Sequence, residues 1–213
     1  MHISKFKHIV WDWNGTILDD VDACVASINQ MLAVRALPTI SRSQYLEVFD
    51  FPVKKYYLDL GFDLKHEDWD AVAREFHRHY AEYSQSSELR HDTLLALKKL
   101  HSLQIPMSIL SACEISILNR MLEQHHIRQY FQKVYGLDNL YASSKLEQGQ
   151  RLMQELKLSP ADILLIGDTN HDYEVAQELG INCILLAGGH QAQPRLNSPT
   201  ILPSAKSLLK SSS

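Results

Sequence analysis

Apolar positions change their period along this chain, and the changes divide it. Ile9-Val10-Trp11 is a short apolar run that ends in Asp12 and then Asn14-Gly15-Thr16, the pattern of a buried strand feeding a turn. From Val21 to about Ser86 the spacing becomes helical. Val21, Val25, Ile28 and Leu32 recur at i, i+4, i+7 and i+11, and Trp69, Val72, Phe76, Tyr80 and Tyr83 repeat the rhythm. Pro38, Pro52 and Gly61 punctuate this stretch into about four helices. After Arg90 the two periods alternate. A helix carrying Leu94, Leu97 and Leu100 leads to a strand at 107–110, then a helix with Ile115, Leu118 and Leu122 and a short strand near Val134. A helix at 145–156, a strand at 163–167, a helix at 172–179 and a strand at 181–187 follow. Strands alternating with helices predict βαβ units and a parallel sheet covered on both faces. The chain therefore reads as an α/β core, residues 1–18 and 89–213, with an all-helical insert at 19–88 after the first strand.

Length and composition agree with that division. A chain of 213 residues, 45% hydrophobic and 22% charged, has room for a buried core plus a smaller lobe and is not a disordered polymer. Its longest apolar runs are strand-length, far below the ~20 residues of a membrane helix. No basic-then-apolar signal pattern occupies the first 20 residues, where Asp19 and Asp20 follow at once. Cys24, Cys113 and Cys183 are odd in number and form no CxxC pair, which predicts reduced thiols and a cytoplasmic location. The net charge is −4, concentrated in the insert, where 13 Asp and Glu face 7 Lys and Arg. No basic stripe suited to a phosphate backbone is present, so nucleic acid is excluded as a partner. The closing Ser211-Ser212-Ser213 reads as a frayed tail.

In an open parallel sheet, ligands bind beyond the carboxyl ends of the strands. There the sequence places Asp12 and Asn14, then Ser111, then Lys145, then Asp168 and Asp172. Carboxylates from two strand ends suit a hard cation such as Mg²⁺. A hydroxyl and an ammonium from two further ends would neutralise and orient phosphoryl oxygens.

These segments resemble the haloacid dehalogenase-like superfamily, in its phosphoglycolate phosphatase-like branch with a helical cap. The family's Asp-x-Asp-Gly-Thr is matched by Asp12-Trp13-Asn14-Gly15-Thr16, its strand-ending Ser or Thr by Ser111, and its Lys by Lys145 within Ser144-Lys145-Leu146. Its Gly-Asp-x-x-x-Asp is matched by Gly167-Asp168-Thr169-Asn170-His171-Asp172. The four occur in family order, and the 98 residues between Asp12 and Ser111 leave room for the cap. The resemblance implies a Rossmann-like fold and a Mg²⁺-dependent phosphatase working on a small phosphorylated metabolite. It makes Asp12 the nucleophile that becomes an aspartyl-phosphate. It also implies metal ligation by Asp12, Asp168, Asp172 and the Asn14 carbonyl, and phosphate binding by Asp12, Thr16, Ser111, Ala112 and Lys145. A monomer or homodimer is expected.

Asn14 departs from the pattern. The family's second Asp protonates the leaving oxygen and then activates water, and an amide does neither. General acid–base help is worth on the order of 10²–10⁴-fold. His171 and His190, each just past a core strand, are candidate replacements for the acid. Two rivals follow: a protein that binds phosphate or a metabolite without turnover, and an enzyme for a substrate such as an acyl phosphate that needs no leaving-group proton. Branches that cleave C–halogen or C–P bonds also lack this Asp. The Asp168/Asp172 pair argues against the first, and the second needs a cap lysine for which only Lys54 and Lys55 offer. His77, His79, His125 and His126 read as exposed helix surface, Trp11 as core, and Trp13 as a wall of the site. Tyr56, Tyr57, Trp69 and Tyr80 read first as packing between cap helices, and Cys113 as packing against the sheet.

Overall fold

In the computed structural model, which describes residues 3–142 and 144–209, the alternating half of the chain builds one parallel sheet. Its strands are β1 (His8–Trp11), β4 (Met107–Glu114), β5 (Lys133–Leu137), β6 (Ile163–Gly167), β7 (Asn182–Leu186) and β8 (Ile201–Leu202). They lie in the order β5-β4-β1-β6-β7-β8. Every pairing is parallel, with Trp11 opposite Ile109 on one side and Ile166 on the other. The connecting helices are α5 (His91–Ser102), α6 (Ile115–Gln124), α7 (Leu146–Leu156), α8 (Asn170–Leu179) and the short α9 (Lys206–Leu209).

A strand's side chains alternate between faces, and both faces here are packed. Ile9 and Trp11 join Ile109, Leu164 and Ile166 in one core cluster, while Val10, Leu110, Leu165 and Leu185 form another. That is why these strands read as unbroken apolar runs. β1 is central, flanked by β4 and β6, so a crevice opens at its carboxyl end where the connections diverge.

The helical stretch is bracketed by a two-stranded antiparallel ribbon formed by β2 (Leu18–Asp19) and β3 (Glu88–Leu89). Between them stand α1 (Val21–Val34), α2 (Arg42–Val48), α3 (Val53–Asp59) and α4 (Trp69–Tyr83). Ser41 and Gln44 form a capping box at the start of α2, and the Asp68 carboxylate accepts the first free amides of α4. Arg90, just past β3, donates to the carbonyls of Gly15 and Ala187, tying the ribbon to the ends of β1 and β7. No described helix is long and apolar enough to cross a membrane.

Several expectations from the sequence are corrected. Met107–Glu114 continues as strand past Ser111, with an irregularity in its pairing to β5 between Leu110 and Glu114. Glu114, the last residue of β4, caps α6. His77 is half-buried, and its ring Nε2 lies 3.2 Å from the Leu140 carbonyl oxygen. His125 sits in the turn after α6, half-buried against Trp13 at a ring separation of 6.2 Å. Trp13 is wholly buried in the core and does not line the cavity above the sheet. The serines at 211–213 fall outside the described residues.

Candidate active site

The turn after β1 determines where Asp12 goes. Gly15 adopts φ +72°, and a side chain there would strike the Asp168 carboxylate and the His190 ring, so glycine is required on both counts. The tight turn leaves Asp12, buried, at the end of the central strand. Lys145, one residue before α7, extends its ammonium into the same space and is itself 2% exposed. Its Nζ donates to Asp12 Oδ1 and Asp172 Oδ1, both at 2.5 Å, and to the Leu110 carbonyl at 3.1 Å.

Asp168 and Asp172 come from the end of β6 and the first turn of α8. Asp172 Oδ2 accepts from the Asp168 and Thr169 amides and from the Thr169 hydroxyl, so both of its oxygens are engaged. Asp168 accepts from the Thr16 hydroxyl and from the His190 backbone amide, each at 2.7 Å. One oxygen from each of Asp12, Asp168 and Asp172 lies within 4.8 Å of the others, an all-carboxylate set. When ionised, the three buried carboxylates outnumber the one ammonium between them by two. A divalent cation with a preference for hard oxygen ligands fits both the donors and the charge.

Electrostatics record the same imbalance. Burial pushes Asp12 up to about 8, Lys145 opposing and the other two carboxylates adding to the rise. Burial also pushes Asp168 up to about 6, with His190 opposing. For Asp172, burial is outweighed by the Lys145 ammonium, which holds the carboxyl below its usual range. Lys145 is held above its ordinary value because Asp12 and Asp172 outweigh the cost of burying it.

Of the residues singled out in the sequence, Asp12, Asn14, Ser111, Ala112, Lys145, Asp168, Asp172, His171 and His190 all line one cavity between the sheet and α1–α4. Thr16 does not. It is wholly buried behind them, its hydroxyl on Asp168 and its carbonyl accepting from Thr93. The Ser111 hydroxyl oxygen accepts the Cys113 amide. Burial pushes the Cys113 thiol well up, which keeps it protonated and unreactive.

Asp20 is a residue of this site that the sequence does not single out. It is wholly buried at the ribbon's end, where its carboxylate accepts from the Asn14 side-chain amide at 2.7 Å, the Gly15 amide at 2.8 Å and the Tyr80 hydroxyl at 2.7 Å. His190 Nε2 lies 3.2 Å from the same carboxylate, and its Nδ1 lies 2.8 Å from the Tyr45 hydroxyl. Asn14 therefore makes a specific contact that its amide suits: Nδ2 donates to Asp20 and to Tyr80. The two candidate acids sit differently. His171 stacks on Phe51 at 4.5 Å with its Nε2 unpartnered, while His190 is committed to Asp20 and Tyr45. Burial lowers His171 to about 4, and the nearby Lys145 adds to this. For His190 burial is outweighed by Asp20, which raises it to about 9.

The His190–Asp20 pair sets a pH dependence of stability. A histidine raised from 6.5 to about 9 contributes fully below pH 6.5 and loses that contribution as pH rises through about 9. The shift corresponds to about 3 kcal/mol. Denaturant unfolding at pH 6.5 and pH 10 is expected to show wild type losing about that much more than His190→Gln, which is weaker at pH 6.5 and flatter. Parallel pH profiles would contradict the pair.

A family profile described as haloacid dehalogenase-like hydrolase matches residues 9–186. The chain is 26% identical over 194 residues to a phosphoglycolate phosphatase of Vibrio parahaemolyticus, covering 86% of this chain and 85% of that one. It is 27% identical to a phosphoglycolate phosphatase of Photobacterium profundum, with 86% and 84% covered. Its fold matches a haloacid dehalogenase-like family hydrolase from Streptococcus pneumoniae with a TM-score of 0.72 at 20% identity, covering 97% and 98% of the two chains. It also matches CbbY from Rhodobacter sphaeroides, solved in complex with phosphate, with a TM-score of 0.73 at 16% identity, covering 95% and 96%.

Proposed function

The chain belongs to the haloacid dehalogenase-like hydrolases, and on that premise we propose that it is a Mg²⁺-dependent phosphatase of a small phosphorylated metabolite, working through an aspartyl-phosphate. One observation carries this reading: Asp12, at the end of the central strand and the floor of a covered cavity, lies within salt-bridge reach of Lys145 and ligand distance of Asp168 and Asp172. Residues 1–18 and 89–213 act as the catalytic core and 19–88 as its cap. The 26% identical phosphoglycolate phosphatase supports the reaction class.

Asp12, Asp168 and the Asn14 carbonyl would hold the metal, with Asp172, whose Oδ1 receives the Lys145 ammonium, ligating it or orienting a bound water. When bound, Mg²⁺ neutralises charge on the phosphoryl oxygens. Asp12 supplies the carboxylate oxygen that attacks phosphorus as the P–O bond to the leaving group breaks, the electron pair departing on the leaving oxygen. Lys145 and Ser111 hold the non-bridging oxygens, so positioning and charge neutralisation do most of the work. Water then attacks phosphorus and frees the Asp12 carboxylate. Asn14 has no proton to give at either step, His190 is held by Asp20 and Tyr45, and burial keeps His171 neutral, so the leaving group departs largely as an anion.

Titration calorimetry with Mg²⁺ tests the reading. Wild type is expected to bind the ion weakly but measurably, and Asp168→Ala to lose both the binding and the turnover. An unchanged Mg²⁺ isotherm in that variant would refute the site.

A further inference from the structure

The cavity above Asp12 differs in character from its floor. Its upper lining is aromatic: Phe49 and Phe51 follow α2, Tyr56 and Tyr57 come from α3, and Trp69 and Phe76 from α4. They pack edge to face, Tyr57 against Trp69 at 5.4 Å and Phe49 against Tyr56 at 5.3 Å, which makes a stiff wall of rings. Among the described residues, no arginine lines the cavity, its only lysine is Lys145, already shared between Asp12 and Asp172, and its cationic histidine, His190, is paired with Asp20. A substrate with a second anionic group, such as a carboxylate beside its phosphate, would bury that charge without a partner, which is costly. Three polar atoms among the lining residues lack any hydrogen-bond partner: Tyr56 Oη, His77 Nδ1 and His171 Nε2. They offer hydrogen bonds to a hydroxyl or carbonyl rather than charge to an anion.

Size limits the leaving group as well: the cavity of about 130 Å³ takes in the floor around Asp12 and Lys145, so the phosphoryl group and the leaving group share it, which leaves room for one small ring at most. The floor adds a chemical requirement, because Asn14 gives no proton to a leaving oxygen.

We infer that the leaving group of the natural substrate is a single uncharged aromatic ring bearing its phosphate on an acidic oxygen, a phenol-type phosphate with no second anionic group. Wall and floor lead to this independently: rings with no unpaired cation beside them select an uncharged aromatic group, and an amide in place of an acid selects one that departs as an anion. The inference rests on the phosphatase reading for its reaction and on the wall for its binding. It sets this chain apart from its phosphoglycolate phosphatase relatives, whose named substrate carries a carboxylate.

Calorimetry with non-hydrolysable phosphonates tests the wall without turnover. With Mg²⁺ present, benzylphosphonate is expected to bind on the order of tenfold or more tighter than methylphosphonate and phosphonoacetate. Phosphonoacetate binding as tightly as benzylphosphonate would overturn the inference. Turnover of phenyl phosphate and of phosphoglycolate, measured in parallel, keeps the two readings separable. A benzylphosphonate preference with neither ester hydrolysed would sink the phosphatase and leave the ligand class standing. Phosphoglycolate hydrolysed ahead of phenyl phosphate, with phosphonoacetate the tighter ligand, would overturn the ligand class and leave the phosphatase standing.

Discussion

Asn14→Asp is expected to raise turnover of alkyl phosphates by on the order of 10²-fold or more, while aryl phosphates gain little. The difference follows from the leaving oxygen. A phenolate departs without help, whereas an alkoxide must be protonated as the bond breaks. The substitution leaves side-chain volume and the backbone carbonyl almost unchanged. It also creates a carboxylate where the amide now stands 2.7 Å from Asp20 Oδ2. Two carboxylates that close cannot both be ionised, so the pair retains a proton near neutral pH, which a general acid requires. The same repulsion should lower the variant's melting temperature, increasingly as pH rises. If Asn14→Asp gives no gain while His171→Ala or His190→Ala removes wild-type activity, a histidine supplies the proton. If wild type and Asn14→Asp are both inert towards every activated phosphate with Mg²⁺, the hydrolase reading fails and the binding-protein reading replaces it.

Asp12→Asn should have the larger effect in the opposite direction. Losing the nucleophile of a covalent mechanism costs on the order of 10⁴-fold or more in turnover. The fold should survive. Lys145 keeps Asp172 and the Leu110 carbonyl, and the amide oxygen of the substituted side chain can accept in place of the carboxylate. Burial holds Asp12 up near 8, so ionising it works against the fold as pH rises from about 4 to 8. The variant should therefore be as stable as wild type or more so at pH 8 without metal. Full loss of activity together with equal or higher stability separates a catalytic role from a structural one.

The core is legible in the sequence because buried parallel strands leave continuous apolar runs, and that signal alone places β6 at its observed bounds. β2 and β3 are invisible there, since two-residue strands carry no period, and β8 at 201–202 is equally short. The acidic and basic residues at the strand ends can be chosen from the sequence because each follows an apolar run. Asp20 cannot. Nothing near it in the chain marks it as buried, and it becomes so only when Tyr80 arrives from α4 and His190 from beyond β7. The aromatic wall is hidden for a related reason. Rings at helical spacing read as packing, and Tyr57, Trp69 and Phe76 do pack on one another, yet together they also face the cavity. His77 reads as surface because its helix position says nothing of the Leu140 carbonyl that meets it.

The proposed reaction depends on Asp12 taking the phosphoryl group. Mixing the wild-type protein with Mg²⁺ and phenyl phosphate, quenching in acid within one turnover and mapping the peptides by mass tests this directly. The account predicts one phosphoryl group on the peptide containing Asp12, absent from Asp12→Asn. Turnover with that peptide unmodified, and unchanged in Asp12→Asn, would contradict it.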